Sequence, residues 1–252
     1  MLKSKFIFMK KLIIANWKMQ LSIKESLELA KKIVTASKKS KNEIVICPDY
    51  AALPFIGPIL KSSFVKLGAQ DSGAFVKGAY TGEVSPLNLK ILGVKYVILG
   101  HSERREHLHE NSAIINNKIK AALASKLIPI LCIGEKLTEK QNGQTKDYLK
   151  MELRHALKGV KIKNASDLVV AYEPIWAIST NKNAKPIEPE EANDIQEFIA
   201  QETKRLLKQK IQIIYGGSAG SKNAVSFLAQ ANISGLLVGG ASLRADEFSI
   251  MI

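Results

Sequence analysis

Residues 168–182 read LVVAYEPIWAISTNK. Leu168, Val169, Val170 and Ala171 form an apolar run with two β-branched residues and no polar alternation, the pattern of a strand buried on both faces. Glu173 stands at its exit, and Pro174 stops further pairing and holds Glu173 extended. Beyond it Ile175, Trp176, Ala177 and Ile178 are apolar where a loop is normally polar, and Ser179, Thr180, Asn181 and Lys182 follow. An apolar loop beside a strand-end carboxylate suggests a lid that excludes water from a base. A tight loop that merely packs Trp176 against the protein reads this stretch equally well.

Outward from this strand, further short apolar runs occur at 11–17, 43–47, 65–70, 95–100, 128–133, 211–215 and 233–238. Helical patterns fall between them, at 22–36, 54–60, 85–92, 110–125, 138–157, 190–208 and 222–228. Alternation of this kind predicts an α/β fold with a parallel sheet under helices, and eight units fill a closed (β/α)8 TIM barrel. A chain of 252 residues is an ordinary length for one such domain, 1–252, with 1–10 a short extension ahead of the first strand. An open doubly wound sheet usually carries a glycine-rich fingerprint after its first strand, whereas here Asn16, Trp17 and Lys18 stand there. In a barrel all strand C-termini share one rim, so Asn16, Lys18, His101, Glu173 and Ser218 are expected to converge.

Two glycine pairs are read as a phosphate site. Gly216 and Gly217 before Ser218, and Gly239 with Gly240, expose backbone N–H groups in the last two strand-to-helix loops, and 241–248 is expected to form a short helix facing an anion. His101 follows the run Val97 to Gly100, while His107, His109 and His155 lie at no strand end and read as structural. No ligand spacing suggests a metal or another cofactor.

The 37 Lys and Arg against 23 Asp and Glu give a formal charge of +14. A basic chain raises nucleic acid or an anionic surface as a partner, but most of the charge is lysine scattered through helical stretches, without a basic stripe interleaved with aromatics, so neither a nucleic-acid nor a membrane partner is expected. Positive potential near a phosphate site would steer an anionic metabolite instead. Cys47 and Cys132 lie in apolar runs and read as buried thiols of a reducing compartment, which points to the cytoplasm. Lys10 and Lys11 interrupt the apolar N-terminal run, so neither a membrane helix nor a secretory signal is expected.

AYEPIWAIST at 171–180, NWKM at 16–19, HSERR at 101–105, YGGS at 215–218 and VGGAS at 238–242 together resemble the signatures of the triosephosphate isomerase family, in that family's order and across essentially the whole chain. The resemblance implies interconversion of dihydroxyacetone phosphate and D-glyceraldehyde 3-phosphate, a step of glycolysis and gluconeogenesis with a link to the pentose phosphate pathway. It makes Glu173 the base and His101 a neutral electrophile. Lys18 and Asn16 become donors to the developing oxyanion, with Glu103 and Cys132 in support. Phosphate binding falls to Gly217, Ser218, Gly239, Gly240 and, once the lid closes, the N–H of Ser179. An apolar cover from Ile178 should strengthen the base when substrate is bound.

The lid tip departs from the family's Gly-Thr-Gly-Lys, reading Ser179–Thr180–Asn181–Lys182. Serine lacks glycine's freedom at positive φ, so slower closure is expected. Asp71 stands where asparagine is common. The apolar stretch DSGAFVKGAYTG at 71–82 is implied to insert into a second subunit through Phe75, Tyr80 and Thr81, giving a homodimer.

Overall fold

The computed structural model describes residues 10–178 and 187–252. Its strands are β1 (Leu12–Asn16), β2 (Glu43–Cys47), β3 (Lys66–Ala69), β4 (Val94–Leu99), β5 (Ile128–Ile133), β6 (Val169–Tyr172), β7 (Gln212–Tyr215) and β8 (Gly235–Val238). All pair in parallel and in chain order, and β8 returns to β1, so the sheet is a closed barrel with no free edge. Helices α1 (Ile23–Ala36), α2 (Leu53–Leu60), α3 (Pro86–Ile91), α4 (Ser102–His107), α5 (Ser112–Ala124), α6 (Leu137–Gln141), α7 (Thr145–Ala156), α8 (Pro189–Leu207), α9 (Ala224–Ala229) and α10 (Ala245–Ser249) surround it. Among the described residues no helix is long and apolar enough to cross a membrane.

Strand alternation splits the core into two layers. Leu12, Ile14, Val45, Ile98, Ile130 and Ile214 pack together in a smaller cluster. Their neighbours Ile13, Ile46, Val97, Leu131 and Ile213 belong to the larger cluster that includes Ile33 of α1, Ile119 of α5 and Ile199 of α8. Successive side chains of a strand point to opposite faces, so the first set fills the barrel and the second meets the helices. Gly235 belongs to this packing too: a Cβ there would collide with the backbone of Leu12, so only glycine lets β8 close against β1.

Helix starts follow their side chains. Ser22 caps α1 in a reciprocal box with Glu25, Ser85 caps α3 ahead of Pro86, and Asn111 accepts two backbone N–H bonds at the start of α5. The mainly helical stretch over 138–157 is α6 and α7, which part where the chain turns at Gly143, with φ +69°. One expectation is corrected: instead of one helix over 241–248, a 3₁₀ turn at Gly240–Leu243 precedes α10. Ser242 gives both its N–H and its hydroxyl to the Gly239 carbonyl, at 2.8 and 2.7 Å, which tightens the turn, and extended Arg244 then separates it from α10.

Behind the loops that follow β3 and β4 lies a buried four-charge cluster. Lys118 and Arg104 each reach the same two oxygens, Asp71 Oδ2 at 2.6 and 2.8 Å and Glu110 Oε1 at 2.5 and 2.6 Å. Asp71 Oδ1 and Glu110 Oε2 are left buried without a partner. Burial raises the Asp71 carboxyl to about 6, against the pull of Lys118. Its folded-state affinity for a proton exceeds that of the unfolded chain, so its charge lowers stability as pH rises from about 4 to about 6. Asp71→Asn is therefore expected to remove this fall, so that unfolding free energy changes less between about pH 4 and about pH 6 than in the native chain. Urea unfolding at the two pH values measures this, and an undiminished difference between them would refute it.

Candidate active site

At the C-terminal rim, Gly100 adopts φ +71° and turns the chain out of β4 directly into α4. His101 is the N-cap of that helix, its Nδ1 accepting the Glu103 backbone N–H at 3.3 Å. A nitrogen that accepts a hydrogen bond carries no proton, so this contact favours the tautomer with its hydrogen on Nε2. Nε2 stands 3.4 Å from Glu173 Oε1. The other carboxylate oxygen faces the Ser102 backbone N–H at 3.5 Å. Glu173 is only 2 % exposed, so its carboxylate sits in a nearly closed polar niche.

Lys18 reaches the same niche from the opposite side of the barrel mouth. Its Nζ binds Glu103 Oε1 at 2.6 Å, and Glu103 thereby joins the ammonium to the helix turn that orients His101. Strand alternation past β1 does not explain this placement, because Lys18 has φ +52°, a conformation unusual for lysine. Two amides hold it there. The Lys18 N–H donates to Asn16 Oδ1 at 3.2 Å, which turns the Asn16 NH₂ away from the backbone, and Gln70 Nε2 donates to the Lys18 and Cys47 carbonyls at 2.7 and 3.0 Å.

The two glycine loops lie beside these groups. A Cβ at Gly239 would sit 3.8 Å from Lys18 Nζ, and one at Gly216 would sit 2.6 Å from Glu173 Cγ. Gly217, Ser218, Gly239 and Gly240 line a cavity of about 340 Å³ together with Lys222 and Arg244. Ser218 donates its hydroxyl to the Ala177 carbonyl at 2.6 Å, tying the seventh loop to the apolar segment after Glu173. That segment begins with a 3₁₀ turn, Ile175–Ala177, after Pro174, and Ile178 follows it. Ser179, Thr180, Asn181 and Lys182, the expected lid tip, lie outside the described residues.

Several groups here escaped the sequence reading. Glu135, fully buried after β5, accepts the Trp176 indole N–H at 2.8 Å and the Tyr172 hydroxyl at 3.2 Å, so Trp176 is anchored by a carboxylate. Arg105 ties two strand ends through the Gly100 and Cys132 carbonyls at 2.7 and 3.0 Å and pairs with buried Glu152 at 2.9 Å. Glu152 also accepts the Gly134 N–H, and Gly134 packs on the Glu173 carbonyl so closely that no Cβ fits. Glu135 and Gln70 each stand just past an apolar run, so the signal that marked Glu173 was present for both. Cys132 is a free thiol that burial, and then the neighbouring Glu173 carboxylate, hold well above the ordinary range, so it stays protonated.

The arrangement places a carboxylate, an imidazole and an ammonium around one opening, groups that can serve as proton acceptor and donors, with glycine loops that suit an anion alongside. Comparison with known proteins bears on which molecule fits. Residues 11–252 match the family model described as Triosephosphate isomerase. Proteins named triosephosphate isomerase from Clostridium tetani, Dictyoglomus thermophilum and Dehalococcoides mccartyi are 42, 43 and 45 % identical, each covering 95 or 96 % of this chain and 94 to 97 % of the relative. A crystal structure of triosephosphate isomerase from Bartonella henselae superposes with a TM-score of 0.86 at 31 % identity, covering 96 % of this chain and 97 % of that one.

Gly216→Ala tests how tightly the Glu173 carboxylate is packed, and whether it takes part in turnover. The added methyl must displace the Glu173 side chain, and misplacement of a reacting group by about 1 Å lowers turnover roughly 100-fold. The expected result is a fall in kcat of that order with the melting temperature nearly unchanged; unaltered kcat would show that the carboxylate has room to spare.

Proposed function

This chain belongs to the triosephosphate isomerase family and catalyses the interconversion of dihydroxyacetone phosphate and D-glyceraldehyde 3-phosphate, and we propose that Glu173, His101, Lys18 and Asn16 carry the chemistry. The observation that carries this reading is the 3.4 Å approach of the Glu173 carboxylate to the His101 Nε2, with Lys18 held by Glu103 alongside.

Glu173 removes the proton from C1 of dihydroxyacetone phosphate, and the C–H electron pair becomes the C1–C2 double bond of an enediolate. Charge moves onto the C2 oxygen, which His101 Nε2–H, the Lys18 ammonium and the Asn16 NH₂ stabilise as donors. His101 Nε2–H gives its proton to the C2 oxygen and takes the C1 hydroxyl proton in return, and as the C1 carbonyl forms the C1–C2 double-bond electrons take the proton back from Glu173 onto C2. A neutral imidazole suits this role because its N–H keeps the ring a weak acid that need not first lose a proton. Gly217, Ser218, Gly239, Gly240 and Ser179 hold the phosphate through backbone N–H groups, and Cys132 packs beside the base.

The working unit in this reading is 1–252, one barrel with 1–10 as an extension, acting in the cytoplasm, where buried unpaired thiols such as Cys47 and Cys132 persist. It pairs as a homodimer through the loop after β3. Phe75 and Tyr80 stack at 4.4 Å yet remain 47 and 46 % exposed, Thr81 is exposed beside them, and Met19, next to Lys18, is 90 % exposed. A second copy covering these side chains would remove apolar area from water and shield Lys18.

A coupled spectrophotometric assay with dihydroxyacetone phosphate, comparing the native chain with Glu173→Asp, separates chemistry from binding. Withdrawing the carboxylate by one methylene is expected to reduce kcat at least about 100-fold with KM changed only a few-fold, and equal kcat values would exclude Glu173 as the base. Sedimentation of the native protein is expected to give a dimer at low micromolar concentration; a fully active monomer there would reject the pairing.

A further inference from the structure

Parallel closure places every strand N-terminus on the rim opposite the site, together with the connections that lead into them. Segments 10–11, 37–43, 61–66, 90–95, 125–127, 157–168 and 208–210, which approach β1 to β7, contain fifteen lysines but only two acids, Glu43 and Asp167. Glu43 is already bound to Lys95 at 2.6 Å, and Asp167 accepts the backbone N–H groups of Lys163 and Asn164. Nearly the whole formal charge of +14 therefore belongs to this one face. Twelve of the fifteen lysines are exposed.

Cations at helix C-termini offset the helix dipole, but that effect is confined to the last turn. That covers Lys38 and Lys39 in a last helical turn and Lys158 just past α7, but it does not account for Lys41 before β2, or Lys161 and Lys163 before β6, when like charges at such spacing repel. We propose that this face docks on an anionic membrane surface, with the active-site rim turned to the solvent.

Two features favour lipid over nucleic acid as the polyanion. Every cation of the face is lysine and none is arginine, so it offers mobile point charges suited to a diffuse negative leaflet and no planar fork for bidentate phosphate recognition. The face also presents apolar side chains: Phe64 is 81 % and Ile91 75 % exposed, on neighbouring connections whose residues Leu60, Val65, Ile91 and Leu92 share a cleft of about 680 Å³ with Lys61 and Lys66. Apolar residues within a lysine field suit the headgroup boundary, where stems and rings enter and ammonium groups stay wet.

Flotation of the full chain with vesicles tests the proposal. Binding is expected to vesicles containing about one-third phosphatidylglycerol in about 50 mM salt, with none to phosphatidylcholine alone and a loss of at least tenfold by about 300 mM salt as charges are screened. Each lysine near such a surface accounts for about a fivefold factor in partition, so reversing Lys38, Lys39 and Lys41 to Glu should reduce binding at least about 100-fold while isomerase activity is unchanged. If that variant misfolds, Lys161→Gln with Lys163→Gln should give a loss of about 25-fold. Phe64→Ser should remove the binding that survives added salt. Equal partition into neutral and anionic vesicles, or charge variants that bind like the native protein, would overturn the proposal. So would displacement from vesicles by an oligonucleotide at equal phosphate concentration, which would assign the face to nucleic acid.

Discussion

Closure of β8 onto β1 is the constraint on which the rest depends. Once eight parallel strands form a ring, no backbone edge remains to be satisfied, and the direction of every strand is fixed relative to every other. That closure needs Gly235, because the approach of the two strands leaves no space for a Cβ. Residues as distant in sequence as Lys18 and Glu173 then share one rim, and connections as distant as 37–43 and 157–168 share the other.

The rim that carries the candidate site is held by interactions that few of its chemical groups make directly with one another. Lys18 sits at φ +52°, and Gln70 and Asn16 supply the hydrogen bonds that keep it there. His101 is oriented by a backbone N–H of α4, and Glu173 is backed by Gly134 and Gly216, neither of which has room for a side chain. Arg105 and Glu152 link the ends of β4 and β5 behind it. In a site assembled on strand ends in this way, each of the proposed catalytic groups is held by a second group outside the proposed chemistry.

Much of this was legible along the chain. Eight apolar runs separated by helical periods define the barrel, and a carboxylate, a histidine and paired glycines at run exits mark the rim, since a polar residue directly after a buried strand has few other places to go. Glu135 and Gln70 carried the same mark but matched no chemistry that would single them out, and their partners, Trp176 and the Lys18 carbonyl, are remote in sequence. The helix expected over 241–248 failed because the competing bond from the Ser242 hydroxyl to Gly239 is a matter of local geometry that composition does not record.

The sequence by itself determined the period of each element, the order of the strands and the kinds of groups at their ends, because these follow from local sterics and from which side chains avoid water. Only the tertiary structure decided distances and fields. Four charges became one cluster at Asp71, and fifteen lysines spread over seven segments of the chain came to share one face. The physical reason is the same in both cases: electrostatic interaction depends on separation in space, and the closed ring sets separations that positions along the chain do not encode.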